Sequence, residues 1–198
     1  YLLCKYKYHY EMNIFKTKSK LIASLNALQQ KKSIGFVPTM GALHEGHLSL
    51  IEASKKECDI TICSIFVNPT QFNNAHDFDN YPNTLDKDLE KLQKLDCDIV
   101  YIPSINDLYT KREKAKKFDF GSLANSMEGE FRIGHFNGMA TIIEKLFNII
   151  KPKKAFFGQK DLQQLQIVKA LVKQINTIVE IKSMPTVREK NGLAKSSR

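Results

Sequence analysis

The sequence lacks any apolar run that approaches the roughly 20 residues of a transmembrane helix. Cysteine is also scarce, and no two of the four cysteines form a CxxC pair or a spacing typical of metal sites. These absences argue against a membrane-spanning protein and against a cysteine-based metal site. Cys63 and Cys97 lie in or beside apolar segments, so we expect buried thiols in a reducing cytoplasm.

Lysine and arginine outnumber aspartate and glutamate by 30 to 21, which gives the 198-residue chain a formal net charge of +9. A basic chain suits an anionic partner, and nucleic acid is one candidate. However, the lysines are scattered among apolar residues, and their densest stretch, residues 111–117, lacks a strong arginine-and-aromatic pattern. We expect a solvated loop there, no nucleic-acid partner, and a nucleotide substrate that accounts for part of the charge.

The most informative segment combines a strand, a loop and a helix. An apolar run over Ile34–Val37 predicts a buried strand that ends before Pro38. An amphipathic helix follows, with its apolar positions at Leu48, Leu50 and Ile51. The loop between the two therefore lies at a strand end and at a helix start.

Two histidines, His44 and His47, flank Gly46 at the start of this helix. Their three-residue spacing aims both imidazoles the same way, beside the unpaired N–H groups of the first turn. That end of a helix attracts anions, and Gly46 removes a Cβ where a nucleotide would approach the backbone. The pattern predicts a nucleotide-phosphate site. The alternatives are an accidental match or a metal pair without a third ligand.

The remaining periodicity alternates helices with strands. Helices are predicted from Lys18, over Thr84–Leu95, over Ala140–Ile150 and after Asp161, and strands over Ile60–Val67, Ile99–Ile102, Ala155–Phe157, Ile178–Ile181 and Pro185–Val187. Asp88 is expected on a charged outer helix face, and Leu162 is expected to face inward. This alternation predicts an α/β protein with an open parallel sheet.

Polar residues follow several of these strands. Asn68 and Gln71 belong to an NPTQF loop, and Lys160 opens the helix after a glycine. The carboxyl ends of parallel strands share one edge, so we expect the NPTQF and histidine loops to meet there. Gln71 suits a small substrate with hydroxyl and carboxylate groups, and Lys160 can place its charge on a phosphate. Alternatively, Asn68 and Gln71 merely cap a turn, and Asp161 has the common role of a helix N-cap.

Two further segments remain open to more than one interpretation. Residues 128–139, which contain Arg132 and His135, could form a mobile substrate lid or an ordinary connection. Residues 188–198 could form a flexible phosphate-gripping loop or a frayed terminus.

Five motifs together closely resemble the pantothenate synthetase family: PTMGALHEGHLSLI, SIFVNPTQF, EGEFRIGHFNGM, FFGQKDLQQL and PTVREKNGLAKSSR. The resemblance extends from Ile34 to Arg198. It implies a Rossmann-like, doubly wound nucleotidyltransferase domain over residues 12–187 and a phosphate-gripping loop over 188–198. A smaller carboxyl-terminal domain that covers the site is expected beyond this chain, and residues 1–11 form an extension of unknown role.

The resemblance implies an activity. The family joins pantoate to β-alanine with ATP through a pantoyl-adenylate, releasing AMP and pyrophosphate, with Mg²⁺ on the triphosphate. A cytoplasmic homodimer is expected, with no membrane partner and no metal held by the protein itself. The alternatives are another nucleotidyltransferase on this scaffold, and a catalytically incompetent nucleotide-binding or dimerisation module.

Roles for individual residues follow from the same resemblance. Catalysis is expected from His44, His47, Lys160, Ser196, Ser197 and Arg198, with His47 at the position of the proton donor. The ATP site is expected to comprise Met40, Gly41, Ala42, Leu43, His44, Glu45, Gly46, His47, Gly158, Gln159, Lys160, Asp161, Val187, Lys195, Ser196, Ser197 and Arg198. The other substrates are expected to contact Gln71, Gln164, Asn68 and Arg132. Two loop residues depart from the family pattern: Ile133 replaces a proline and Asn191 replaces an aspartate.

Overall fold

The computed structural model describes residues 12–28, 31–111 and 113–197. Within these ranges, six strands form one parallel sheet in the order β1-β4-β3-β2-β5-β6. The strands are β1 (Asn13–Phe15), β2 (Ile34–Thr39), β3 (Ile60–Ile65), β4 (Ile99–Tyr101), β5 (Lys154–Gly158) and β6 (Glu180–Met184). The extension 1–11, with Cys4, and the predicted catalytic residue Arg198 lie outside the described residues.

Helices connect the strands on both faces of the sheet. They are α1 (Lys18–Leu28), α2 (Glu45–Glu57), α3 (Ala75–Asp79), α4 (Leu85–Lys94), α5 (Ile105–Leu108), α6 (Glu128–Phe131), α7 (His135–Ile150) and α8 (Leu162–Gln174). Short 3₁₀ turns cover Pro69–Gln71, Gly121–Ala124 and Gln159–Asp161. None of the helices in the described ranges combines the length and apolar character needed to cross a membrane.

Side chains of successive strand residues enter two separate cores. In β2, Phe36 packs into the core that α1, α7 and α8 cover, whereas Val37 packs into the core beneath α2 and α4. Strands that are buried on both faces need continuous apolar runs, which is why their sequences show little alternation. The predicted doubly wound α/β fold is confirmed.

The order of the strands reverses direction between β2 and β5. From β2 the chain proceeds outward through β3 and β4, and then returns to place β5 and β6 on the other side. Such a switch point opens a crevice at the carboxyl ends of the strands. In the described sheet, β2 pairs with β5 only at Gly35 and Phe36, so the two strands part before β2 ends.

Several predicted boundaries differ from the structure. β2 continues through Pro38, which is paired with Ser64 of β3. Proline has no N–H group to donate, but this position lies beyond the last residue pair between β2 and β5, so β5 does not require that donor. The edge strand β1 escaped prediction because three residues are too few to show a period. Residues Pro185–Val187 form no strand, and β6 begins at Glu180 rather than at Ile178, whose side chain is 98% exposed.

Two predicted helix patterns also need correction. α7 begins at His135, five residues before the predicted Ala140. Gly134 adopts a left-handed conformation at its N-cap, and Gly138, which has a low helix propensity, made this first stretch resemble a loop. Leu162 was expected to face inward but is 56% exposed. It lies at the first position of α8, directly after the 3₁₀ turn, and the buried positions of the helix begin after it.

Candidate active site

A cleft of about 330 Å³ opens at the carboxyl ends of β2 and β5, at the switch point of the sheet. It brings together most of the predicted site residues. Those that line it are Met40, His44, Gly46, His47, Asn68, Gln71, Arg132, Gly158, Lys160, Asp161, Gln164, Val187, Lys195, Ser196 and Ser197. The predicted meeting of the histidine loop and the NPTQF loop therefore occurs.

The two histidines are locked into one arrangement at the start of α2. His44 is the N-cap residue, and its Nδ1 accepts the N–H of Gly46 at 3.1 Å. The N–H of His44 in turn donates to Nδ1 of His47 at 3.3 Å. A neutral imidazole that accepts through Nδ1 carries its proton on Nε2. Each ring therefore has an Nε2–H group that these bonds do not use.

Both rings have lowered pKa values. Burial, followed by the charges of His44 and Lys160, lowers the pKa of His47 to about 4. Burial and then Lys160 also lower the pKa of His44. At neutral pH both histidines are consequently uncharged hydrogen-bond donors, and the positive charges that line the cleft belong to Lys160, Lys195 and Arg132.

Gly46 is required by the histidines themselves. A Cβ at this position would lie 2.8 Å from Cε1 of His44 and 2.9 Å from its Nδ1. The absence of a side chain thus allows the ring of His44 to fold over the first turn of α2. The predicted close approach of a nucleotide at Gly46 stays a prediction.

Asp88 anchors the loop that precedes the histidines. Its two carboxylate oxygens accept the N–H groups of Ala42 and Leu43, both at 2.8 Å. Gly41 and Ala42 adopt positive φ angles of 82° and 49°, so the loop turns sharply and needs an acceptor for its N–H groups. The expectation that Asp88 lies on a solvent-exposed face is wrong, because this side chain is completely buried.

The loop is therefore shaped from α4. Lys91, one turn after Asp88, donates to the carbonyl oxygen of Leu43. Leu43 is itself buried, and neither Gly41 nor Ala42 nor Leu43 is among the residues that line the cleft. These three predicted ATP-site residues shape the turn that leads into the histidines.

The last described residues pack against the histidine loop. Ser197 Oγ donates to the carbonyl oxygen of Ala42 at 2.9 Å. Lys195 Nζ lies 2.8 Å from Glu45, which is in the first turn of α2, and 3.3 Å from Glu189. Glu45 is exposed and lies outside the cleft lining, so its role in the structure is to hold Lys195.

The turn after β5 and the start of α8 contribute a cation, a carboxylate and one amide to the cleft. Lys160 Nζ lies 3.3 Å from Asp161, and both side chains line the cleft with Gln164. Asp161 occupies the N-cap position of α8, but its side chain makes no capping hydrogen bond. Gln159 donates to Ser183 Oγ at 3.0 Å and does not line the cleft.

The segment before α7 forms the opposite wall. Arg132 pairs with Glu128, and both residues line the cleft. His135 is buried, and its Nδ1 lies 2.8 Å from the carbonyl oxygen of Gln71, which fixes the proton on Nδ1. His135 thus joins α7 to the NPTQF loop.

Ser64 is a cleft residue that the sequence reasoning missed. It lines the cleft from β3, is fully buried, and its hydroxyl has no hydrogen-bond partner. In the sequence, a serine within the apolar run of a buried strand could have indicated this residue. A buried hydroxyl without a hydrogen-bond partner costs free energy.

Comparison with known proteins identifies the family. The family model described as pantoate-beta-alanine ligase matches residues 13–198. The pantothenate synthetase of Christiangramia forsetii is 51% identical over 189 residues, which cover 94% of this chain and 67% of the relative. That of Acinetobacter baumannii is 48% identical over 179 residues, 90% of this chain and 64% of the relative. The chain thus spans about two thirds of the length of these relatives.

Solved structures give the same result. The pantoate-beta-alanine ligase of Francisella tularensis, in complex with beta-gamma ATP and beta-alanine, superposes with a TM-score of 0.90 at 43% identity, covering 94% of this chain and 72% of that one. Pantothenate synthetase from Thermus thermophilus gives a TM-score of 0.88 at 39% identity, covering 94% and 66%. With a family model over nearly all of its length and relatives near 50% identity, the chain belongs to the pantoate-beta-alanine ligase family.

Proposed function

We propose that this chain binds ATP and pantoate and acts in the ATP-dependent condensation of pantoate with β-alanine. The observation that carries the proposal is one cleft in which two neutral histidine donors and Lys160 share a lining with Gln71 and Gln164. The names of the relatives and the ATP and β-alanine bound to the Francisella tularensis ligase support the same substrates.

In the proposed first step, a pantoate carboxylate oxygen attacks the α-phosphorus of ATP. The bond from that phosphorus to the bridging oxygen breaks, and pyrophosphate leaves with the electron pair. A carboxylate is already ionised at pH 7, so no general base is needed. Catalysis then consists of alignment and of neutralising the charge on the leaving group, which suits Nε2–H donors and lysines.

In the proposed second step, the amine of β-alanine attacks the acyl carbon of pantoyl-adenylate. A C–N bond forms between the neutral amine and the acyl carbon, and the C–O bond to the phosphate breaks. AMP leaves with the electron pair of that bond, and the proton released from the nitrogen passes to water. His44 and His47 would stabilise the phosphate in both steps. Because both rings are neutral, each stabilises charge by donating Nε2–H rather than as an imidazolium.

The remaining assignments belong to the same proposal. Pantoate would contact Gln71 and Gln164, with Arg132 beside them, and Mg²⁺ would bind through the phosphates, as it commonly does. The nucleotide and its phosphates would contact Met40, Gly158, Lys160, Asp161, Val187, Lys195, Ser196, Ser197 and Arg198. Docking of Ser197 on the histidine loop supports a role for residues 188–198 at the phosphates.

A cytoplasmic homodimer also remains a proposal, which rests on the family resemblance alone. Light scattering during gel filtration tests the dimer. A mass of twice 22.7 kDa is expected, and a monomer across the micromolar range would contradict it.

Exchange of labelled pyrophosphate into ATP, with Mg²⁺ present, tests the proposed adenylation. We expect exchange that requires pantoate and is lost in His47→Ala. His76→Ala is the matched control, because His76 is exposed on α3 and outside the cleft lining. ATP binding without exchange in the presence of pantoate would contradict adenylation by this chain. Exchange that requires a different acid would contradict the assignment of pantoate as the substrate.

A further inference from the structure

A buried network of hydrogen bonds lies behind the cleft, between the NPTQF loop, α7 and the residue that follows α5. Its most distant member is Tyr109, which is 7% exposed and lies outside the cleft lining. The Tyr109 hydroxyl donates to Oδ1 of Asn68 at 2.7 Å. Asn68 is completely buried, and it contacts the side chain of Gln71.

The orientation of the Asn68 amide follows from one unambiguous partner. Its Nδ2 lies 3.0 Å from the carbonyl oxygen of Gly138 in α7, and a carbonyl can only accept. Oδ1 must then face the other side, where the hydroxyls of Tyr109 and Thr70 donate to it at 2.7 and 3.1 Å. The close approach of α7 depends on Gly138, because a Cβ there would lie 2.1 Å from the Thr70 carbonyl oxygen.

The orientation of Asn68 determines that of Gln71. The second N–H of Asn68 Nδ2 donates to Oε1 of Gln71 at 3.2 Å. Oε1 is thereby turned toward the network, and Nε2 lies on the opposite side, 2.9 Å from the sulfur of Met40. Thioether sulfur is a weak acceptor, so an oxygen of a bound molecule would be a better partner for Nε2.

Asn68 has no hydrogen-bonding capacity left for a substrate. Its amide can donate two and accept two hydrogen bonds, and all four are made with Gly138, Gln71, Tyr109 and Thr70. The role expected for Asn68 from the family resemblance was direct contact with substrate. The geometry instead favours an indirect role, through Gln71.

We propose that Tyr109 is a positioning residue that acts through Asn68 to fix the amide of Gln71, so that Gln71 presents N–H donors to a carboxylate or hydroxyl oxygen of the acid substrate. The inference rests on the proposed function for the identity of that substrate. The orientation of the two amides is independent of it.

Tyr109→Phe removes the hydroxyl and keeps the ring. The packing of the ring on Phe66, with centroids 6.5 Å apart, and the Lys145 ammonium 4.9 Å from its centroid can both remain. Tyr101→Phe is the matched control. Tyr101 is also buried, but its hydroxyl donates to Asp107 at 2.8 Å rather than to Asn68.

Two measurements test the proposal. In pantoate-dependent pyrophosphate exchange, Tyr109→Phe should raise the KM for pantoate about fivefold, as expected for one hydrogen bond, and leave the KM for ATP unchanged. Tyr101→Phe should change neither. Equal changes in both KM values, or the same pattern in the two variants, would overturn the positioning role.

Nuclear magnetic resonance of the side-chain amides separates this inference from the proposed function. Without any ligand, Tyr109→Phe should shift the ¹⁵N and ¹H signals of the Asn68 and Gln71 amides, whereas Tyr101→Phe should not. Unchanged Gln71 signals in Tyr109→Phe would overturn the inference. Shifted signals in a protein that shows no exchange would uphold the positioning of Gln71 and reject the proposed activity alone.

Discussion

At the scale of single residues, His44 and His47 derive their chemistry from backbone contacts. Each Nδ1 is occupied by an N–H group of the loop or helix start, which leaves the proton on Nε2. The sequence predicted that two imidazoles would lie together at a helix start, because spacing alone determines that. It could not predict that they are neutral, because burial and the charge of Lys160, more than 100 residues away, lower their pKa values.

The lowered pKa of His47 predicts a dependence of stability on pH. In the unfolded chain this histidine binds a proton near pH 6.5, whereas in the folded protein it does so only near pH 4. The stabilisation is therefore complete above pH 6.5 and is lost as the pH falls toward 4. The difference between the two pKa values corresponds to at most about 3 kcal/mol.

Urea unfolding of the wild type and of His47→Gln between pH 7.5 and 4.5 measures this contribution. The free energy of unfolding should fall more steeply in the wild type, and the gap between the two proteins should change by up to about 3 kcal/mol. His76→Gln, at an exposed histidine, controls for the change of residue type. A gap that stays constant with pH would contradict the neutral state of His47.

At the scale of elements, α4 determines the shape of the loop that precedes the histidines. Asp88 and Leu92 are both buried in this helix, and Asp88 reaches two N–H groups more than 40 residues away in the chain. The apolar period of α4 was sufficient to predict the helix. The same period wrongly placed Asp88 on an outer face. A helical pattern carries no information about the backbone N–H groups of Ala42 and Leu43, which need an acceptor.

Asp88→Asn tests the anchoring of the loop. The amide replaces one oxygen by an NH₂ group, which faces a backbone donor. One of the two hydrogen bonds from Ala42 and Leu43 is therefore lost in a buried position, and the other is no longer charge-assisted. We expect a loss of about 2–4 kcal/mol in the free energy of unfolding. Asp86→Asn, at an exposed position in the first turn of the same helix, should change it by less than about 0.5 kcal/mol.

Circular dichroism during urea titration would measure both variants. Nucleotide affinity adds an independent readout, because a loosened loop no longer holds His44 and His47 in place. Weakened ATP binding in Asp88→Asn at a temperature where it remains folded is expected. Equal stability of the two variants would show that the loop holds its shape without Asp88.

At the scale of the whole molecule, the sequence predicted the class of fold but not the order of the strands. Apolar runs and helical periods identify β2, β3, β5 and the helices between them. They do not show that β1 joins the far edge or that β2 and β5 part after two paired residues. That divergence creates the cleft. Its loops could be anticipated from motifs, whereas the unpartnered hydroxyl of Ser64 and the ion pair between Glu128 and Arg132 could not, because both depend on how the chain folds.

Because the cleft is formed by both sides of the sheet, a ligand that binds there stabilises the whole fold. Anything that binds the native state alone adds RT ln(1 + [L]/Kd) to the free energy of unfolding. ATP with Mg²⁺ at about 100 times its Kd should therefore add about 2.7 kcal/mol. At the same ATP concentration, a tenfold loss of affinity in Lys160→Ala should lower this gain to about 1.4 kcal/mol. Lys173→Ala, in the last turn of α8 and outside the cleft lining, should retain the full gain. Thermal and urea unfolding with and without ATP measure the effect. An equal increase in the free energy of unfolding in the two lysine variants would contradict a contact between Lys160 and the nucleotide.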